Sequence, residues 1–197
     1  MYNTPASAES IEKTIKALSQ NGIDAVLAKD RQDAVAKVLE LIPKGSEVMT
    51  MTSITLDTLG IPEILNSGDY NSVRKQFEKI DKKQARQIGA APDYTIGSVH
   101  GITEDGAVII ASNTGSQLPA YAYAAAKVIW VVGTQKIVKN LDDGMKRIYE
   151  YTLPLESERA HKAYGVPASF VSKLLIVHKE VAPKRITVVF VPENIGF

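Results

Sequence analysis

The 197-residue chain contains no cysteine. This absence excludes disulfide bonds, thiolate metal sites, iron–sulfur ligation by this chain and a cysteine nucleophile. Histidine is also scarce, because only His100, His161 and His178 occur and they are scattered along the chain. We therefore expect no metal site built from histidines. Nothing in the composition indicates a cofactor.

An excess of charge of one sign is lacking as well. The chain carries 23 Lys and Arg against 22 Asp and Glu, so the formal net charge is only +1. This balance gives no electrostatic preference for nucleic acid or for an anionic membrane. No apolar run approaches the roughly 20 residues that a membrane span needs, and the start of the chain, MYNTPASAES, lacks the hydrophobic core of a signal peptide. We expect a cytoplasmic protein that binds neither nucleic acid nor membrane.

The composition that is present fits one folded domain. With 45% hydrophobic and 23% charged residues, the chain can bury a sizeable core at a length near the upper edge of single-domain size. No internal repeat, low-complexity tract or long linker interrupts it, so we predict a single domain over residues 1–197. The first segments read as helix 7–22, strand 24–28, a helix capped by Asp30, and strand 46–51. This alternation favours an α/β fold with a parallel sheet covered by helices.

The remaining segments extend the same pattern. Asp105-Gly106 is a strong hairpin signal between a short strand around Ile102 and the apolar run 107–111. Residues 127–133, KVIWVVG, are typical of a strand buried on both faces of a parallel sheet. Further predicted elements are a charged helix over 70–88, strands at 93–99, 174–178 and 186–191, a helix after Pro119, and helices at 141–151 and 155–164 separated by Pro154.

Hydroxyl side chains cluster where the strand at 46–51 gives way to a helix. Thr52, Ser53 and Thr55 lie at this point. A helix N-terminus presents free backbone N–H groups and partial positive charge, so it attracts an anion such as phosphate or carboxylate. The alternative is that these residues are simply good N-caps.

A second polar segment follows the apolar run 107–111. Its candidate ligand-binding residues are Asn113, Thr114, Gly115, Ser116 and Gln117, the densest run of small hydrogen-bonding side chains in the chain. Gly115 permits backbone angles that other residues resist, and such a loop can wrap an anion or a carbonyl with backbone N–H groups. The alternative is a polar connector whose groups satisfy one another.

Two single residues add candidate chemistry. Lys136 follows the strand at 127–133, at the edge where open α/β sheets collect ligand groups, and it can meet a phosphate or carboxylate; the alternative is a surface lysine. His100 follows the strand at 93–99 and is a candidate general acid or base, beside Glu104 or Asp105. A lone histidine is, however, more often structural.

Four short runs in this order carry a family resemblance: GSVH at 97–100, TEDG at 103–106, TGSQL at 114–118 and VVGTQKIV at 131–138. They resemble the LUD domain family of lactate utilization proteins, and nearly the whole chain fits. The resemblance implies a three-layer α/β/α fold with a mostly parallel central sheet, similar to the ribose-5-phosphate isomerase, glucosamine-6-phosphate deaminase and CoA transferase superfamily. In that superfamily ligands lie over strand ends near a loop of small polar residues, which matches Thr52, Ser53 and Thr55 on one loop and residues 113–117 on the other.

The chain also departs from these relatives. CoA transferases of this fold use a glutamate nucleophile in a glycine-rich setting, and no such glutamate can be placed here, since Glu104 lies in the predicted hairpin turn. Family members act beside an iron–sulfur partner, and some carry cluster-binding cysteines. Because this chain has no cysteine, it can join such a protein partner only without a cluster of its own.

The function expected from residues and resemblance together is binding of a small anionic metabolite, of the organic acid, sugar phosphate or acyl-CoA type, in support of organic-acid metabolism. One alternative is an enzyme acting on a phosphorylated or acyl substrate with His100 as acid or base. Another is a non-catalytic subunit or regulatory partner of a lactate-oxidising complex.

Overall fold

A computed structural model describes residues 2–197. The helices are Ala8–Gln20 (α1), Arg31–Leu41 (α2), Ile54–Thr58 (α3), Ile61–Leu65 (α4), Val73–Gln76 (α5), Lys82–Ala90 (α6), Leu141–Arg147 (α7) and Leu153–Tyr164 (α8). The strands are Asp24–Leu27 (β1), Glu47–Thr50 (β2), Asn71–Ser72 (β3), Tyr94–Gly97 (β4), Gly101–Thr103 (β5), Val108–Ser112 (β6), Lys127–Gly133 (β7), Ile137–Val138 (β8), Lys173–Val177 (β9) and Ile186–Val191 (β10). Within residues 2–197, no helix has the length and apolar content that crossing a membrane requires.

A six-stranded sheet forms the centre of the molecule. Its strand order is β1-β10-β7-β4-β2-β3, and every neighbouring pair is parallel. The longest pairing joins β10 to β7, from Ile186 opposite Val128 to Val191 opposite Gly133. The α/β class and the mostly parallel central sheet predicted from the sequence are therefore confirmed.

The two faces of this sheet pack into two separate cores, because side chains alternate along each strand. On β7, Val128, Trp130 and Val132 belong to one core, whereas Ile129 and Val131 belong to the other. The second core is closed by residues of α2, α3 and α4, and the first by α1 and by strands outside the central sheet. Burial on both faces explains the continuous apolar run of β7.

Four strands form a second, smaller sheet that the sequence analysis did not predict. Its order is β8-β5-β6-β9. The Asp105-Gly106 hairpin is present, since β5 and β6 pair antiparallel and Gly106 has a φ of +85°. Residues of α7 and its neighbours pack on the outer face of this sheet around Ile109 and Ile148.

Two predicted helices differ from the structure. The charged segment 70–88 is not one helix: after β3 and α5, Ile80 is extended, and Asp81 caps a new helix by accepting from the N–H groups of Lys83 and Gln84. This capping box explains where α6 begins. The helix expected after Pro119 is only a π turn, Ala120–Ala124.

Pro154 does not break the helical segment, contrary to the prediction. The chain passes from α7 through a π turn, Ile148–Thr152, directly into α8. Pro154 lies in the first turn of α8, directly after the π turn. This connection brings α8 over the edge of the sheet at which the site lies.

Candidate functional site

A cavity of about 900 Å³ opens at the carboxyl ends of the central strands. The segments after β2, β4 and β7 meet there because parallel strands end at the same edge of a sheet. The structure brings all of the candidate residues from the sequence to this one cavity: Thr52, Ser53, Thr55, His100, Asn113, Thr114, Gly115, Ser116, Gln117 and Lys136 line it. The two polar loops thus face a common space.

The first loop holds its hydroxyl groups in different ways. Ser53 occupies the N-cap position of α3, but its side chain makes no capping hydrogen bond. N-capping therefore does not account for the Ser53 hydroxyl. Thr55 is buried, and Gly196, with a φ of +64°, packs so closely that a Cβ there would lie 2.2 Å from Thr55 Oγ1.

The second loop is held largely by its own side chains. The N–H of Gly115 donates to Ser112 Oγ at 2.8 Å, and Ser112 Oγ donates to Gln117 Oε1 at 3.0 Å. Asn113 Oδ1 accepts from Ser172 Oγ at 3.1 Å. These contacts match the alternative in which the polar groups of the loop hydrogen-bond one another. They also fix the shape of the loop that lines the cavity. Gly115 has a φ of +82°, which only glycine adopts without strain.

Lys136 is a buried lysine rather than a surface one. It is 1% exposed, and its Nζ donates to Thr55 Oγ1 at 3.0 Å and to Ser98 Oγ at 3.1 Å. It forms no salt bridge with the acidic residues within 2–197. Burial, and then the positive charge of Arg147, hold the pKa of Lys136 well below its usual value.

His100 is held as a neutral ring by the groups around it. Its Nδ1 accepts a hydrogen bond from the backbone N–H of Ala111 at 3.1 Å, so the neutral ring carries its proton on Nε2. Burial, followed by the charges of Lys136 and Arg147, lowers the pKa of His100 to about 3. His100 is therefore a neutral hydrogen-bond donor at the cavity wall.

The acidic residues suggested as companions of His100 lie elsewhere. Glu104 accepts from Ser10 Oγ and from Lys13 Nζ, both at 2.8 Å and both on α1. Asp105 accepts a short hydrogen bond from Thr103 Oγ1. Neither carboxylate lines the cavity.

Arg147 holds the backbone of His100 at the cavity wall, and the sequence analysis did not identify it. The guanidinium is fully buried, with Nη1 donating to the carbonyl oxygen of His100 at 2.7 Å and to Thr152 Oγ1 at 2.9 Å. It lies 5.3 Å from the ring centre of Tyr151. Its Nε and Nη2 have no hydrogen-bond partner in the described part of the chain, and burial lowers the pKa of Arg147 to about 10. No local pattern around residue 147 distinguishes it from a surface arginine.

Three further arginines reach the cavity lining, one each from α5, α6 and α8. Arg74 donates to the carbonyl oxygen of Thr50, from Nη2 at 2.6 Å and from Nε at 3.2 Å, and lies 5.5 Å from the ring centre of Phe77. Arg159 forms a two-pronged pair with Glu156, both distances being 2.7 Å. Arg86 is exposed on α6. The cavity lining thus contains four basic side chains and one acidic one.

Side chains of the types that bind metal ions are not clustered in the described residues. Over residues 2–197, no cluster of three or more histidine, cysteine, aspartate or glutamate side chains is placed to hold a metal ion.

At the mouth of the cavity, Tyr164 and Phe170 line the space while remaining 65% and 60% exposed. The arrangement offers cationic donors, hydroxyls and aromatic surface to a ligand.

Comparisons with known proteins identify a family and a solved structure of similar fold. A family model described as the LUD domain matches residues 11–191. The crystal structure of a DUF162 family protein from Deinococcus radiodurans aligns with a TM-score of 0.60 at 12% sequence identity, over 95% of this chain and 99% of that one. The crystal structure of eIF2B beta from Chaetomium thermophilum aligns with a TM-score of only 0.40 at 11% identity, over 67% of this chain and 47% of the other. No curated protein matches the sequence.

Proposed function

Since the chain belongs to the LUD domain family, which links it to lactate utilization, we propose that its cavity binds a small anionic metabolite in support of organic-acid metabolism. The observation that carries the proposal is the basic lining of the cavity, in which Lys136 has no acidic partner among the described residues. The amine of Lys136 lies between Thr55, which follows β2, and Ser98, which follows the neighbouring strand β4. No carboxylate within residues 2–197 pairs with this amine. Because no acidic group of the described chain lies beside this amine, this wall of the cavity does not repel an anion, and Arg74 and Arg86 of the same lining supply the positive charge that binds one.

The charges around the cavity support an anion rather than a cation. Glu156 is the one acidic side chain of the lining, and Arg159 already pairs with it. Arg74 and Arg86 form no salt bridge within residues 2–197. Their charges therefore remain available to a phosphate or carboxylate, for which arginine is well suited by its planar donor groups.

The volume of the cavity favours larger ligands over small organic acids. Pockets for small molecules and cofactors typically measure about 300–1,000 Å³, and this one measures about 900 Å³. A three-carbon acid alone fills only a small part of that space. The volume and the exposed rings of Tyr164 and Phe170 favour a ligand of sugar-phosphate or acyl-CoA size.

His100 contributes to this site as a donor. A general base needs a free lone pair facing the substrate, but Nδ1 of His100 is engaged by Ala111 and Nε2 carries the proton. The geometry thus disfavours the enzyme alternative that gives His100 the role of base. A neutral Nε2–H is suited to hydrogen-bonding an oxygen of the ligand. An iron–sulfur partner protein and a role as a non-catalytic subunit remain predictions from family membership.

Thermal unfolding with a panel of anions tests the proposal. Lactate, sugar phosphates and acyl-CoA esters are each added to the purified protein, and the unfolding midpoint is recorded. A ligand at about 100 times its Kd stabilises the native state by about 2.7 kcal/mol, and 1 kcal/mol raises Tm by about 2–4 °C at this chain length. We expect at least one anion of the larger classes to reach a shift of this size. No shift with any anion contradicts the proposal.

Two neighbouring residues of α5 provide a matched pair of variants. Arg74 lines the cavity, whereas Lys75 is exposed and does not. We expect Arg74→Ala to weaken binding of the stabilising anion about 10-fold or more, as expected for loss of a hydrogen bond to a charged group. Lys75→Ala is expected to leave the affinity within about twofold. Equal affinity of both variants, measured by titration calorimetry, argues against an anion at this wall.

A further inference from the structure

We propose that Lys136 forms an imine with the aldehyde or ketone group of an anionic metabolite held in the cavity, an inference that rests on the proposed function of the same site. The cavity thereby becomes a covalent site for carbonyl compounds. The hydrogen bonds, the burial and the chemistry of the neighbours of Lys136 carry this step.

The hydrogen bonds of Lys136 match a neutral amine. A neutral amine has two N–H groups and one lone pair, whereas an ammonium ion has three N–H groups and needs three acceptors. Two acceptors are present, Thr55 Oγ1 at 3.0 Å and Ser98 Oγ at 3.1 Å. Thr55 Oγ1 in turn donates to the carbonyl oxygen of Ile195 at 3.4 Å, which orients its oxygen as an acceptor for the amine. The two hydroxyls satisfy both N–H groups and leave the lone pair without a protein partner.

The surroundings favour the same protonation state. Lys136 is fully enclosed apart from its contact with the cavity, and the positive charge of Arg147 acts on it. Burial and a neighbouring cation both disfavour an ammonium ion, and lysines in such surroundings are activated nucleophiles toward carbonyl carbon. Exposed lysines such as Lys173, close to the second loop, lack this enclosure.

The reaction balances without any further reactant. The lone pair of Nζ attacks the carbonyl carbon, a C–N bond forms, and the carbonyl oxygen takes up a proton to give a carbinolamine. The C–O bond then breaks as a C=N bond forms, and the oxygen leaves as water with the two hydrogens that the amine held. Ser98 and Thr55, already bonded to those hydrogens, are placed to pass them on, and the Nε2–H of His100 can hydrogen-bond the departing oxygen from the cavity wall.

Reductive trapping tests the imine. The protein is incubated at pH 7 with glyoxylate, pyruvate or dihydroxyacetone phosphate in the presence of sodium cyanoborohydride, and the modified lysines are located by peptide mass spectrometry. At this pH an ordinary lysine is unprotonated only about once in 10³. We therefore expect saturable labelling of Lys136 that is roughly 10-fold or more faster than labelling of Lys173. Labelling spread evenly over exposed lysines, or no labelling of Lys136, overturns the proposal.

Variants separate the imine from simple anion binding. Lys136→Arg cannot form an imine, and Lys173→Arg is the matched control. We expect Lys136→Arg to lose the trapped adduct, and Lys173→Arg to retain both the adduct and the stabilisation by the anion found in the thermal panel. If Lys136→Arg does not fold, Lys136→Met of similar length takes its place in the trapping assay. Stabilisation by anions without any trapped adduct rejects the imine and leaves the binding function standing, whereas absence of both rejects the two together.

Discussion

His100 shows how one residue couples the site to pH. Its Nδ1 accepts from Ala111, its carbonyl oxygen accepts from Arg147, and its pKa in the folded protein is about 3 against an ordinary value of 6.5. The unfolded chain therefore binds a proton at this position between about pH 6.5 and pH 3, and the folded protein does not. Protonation of the unfolded state favours unfolding, so stability is lost as the pH falls through this window.

Replacement of His100 by asparagine tests this coupling. An asparagine oxygen can still accept from the N–H of Ala111, but the side chain does not titrate. We expect the free energy of unfolding of the wild type to fall by up to about 1.4 kcal/mol per pH unit more steeply than that of His100→Asn below pH 6.5. Urea unfolding at pH 7.0, 6.0 and 5.0 measures the difference, in a range where carboxylates contribute little. Parallel profiles for the two proteins rule out a histidine that the fold keeps neutral.

At the scale of single elements, the end of β4 depends on a glycine that permits close approach. A Cβ added at Gly97 would lie 1.8 Å from the hydroxyl oxygen of Tyr121, and Tyr121 packs edge-on against Trp130 with ring centres 5.5 Å apart. Tyr121 is fully buried and cannot move aside without disturbing this core. The GSVH run therefore begins with glycine for a steric reason.

Gly97→Ala is expected to destabilise the protein by about 1–3 kcal/mol or more, as overpacking of a filled core does. Gly101→Ala is the matched control in β5, because an added Cβ there meets its nearest atom at an ordinary 3.7 Å. The second change Tyr121→Phe removes the clashing hydroxyl and should recover part of the loss in Gly97→Ala. Denaturant unfolding of the single and double variants gives the coupling energy. A coupling energy near zero excludes the proposed contact.

Local signals predicted the elements better than they predicted the site. The helix cap at Asp30 and the hairpin at Asp105-Gly106 depend on neighbours within a few residues, and the sequence analysis placed both. The break at Ile80 was missed because the charged pattern continues through it, although Asp81 and Gln84 form a capping box. A closer inspection of that spacing could have located the start of α6.

At the scale of the whole molecule, the sequence predicted which loops approach one another but not the charges behind them. Parallel strands place their carboxyl ends together, so Thr55 after β2 and Lys136 after β7 could be assigned to one edge from the chain alone. The loop around Gly115 follows β6 of the smaller sheet, so only the family resemblance placed it beside them. Arg147 is fully buried only because the π turn and α8 carry the chain back over His100. Arg159 reaches the cavity for the same reason. Contacts of this kind are set by the tertiary path, which no local pattern encodes.

The two sheets share one core, which predicts a single unfolding transition. Ile110 of the smaller sheet and Trp130 of the central sheet belong to the same buried cluster, and both are fully enclosed. Truncating Ile110 to alanine should lower the free energy of unfolding by about 2–5 kcal/mol. Because the sheets unfold together, the signal of Trp130 must report the same loss of stability. We expect Ile110→Ala to lower the midpoint of the near-ultraviolet signal of Trp130 and the midpoint of the far-ultraviolet backbone signal by the same amount.

Val181→Ala, at a position that is 92% exposed, is the control and should move neither midpoint. A Trp130 transition that stays in place while the backbone signal shifts shows that the smaller sheet unfolds on its own, and residues 1–197 then comprise two cooperative units rather than one.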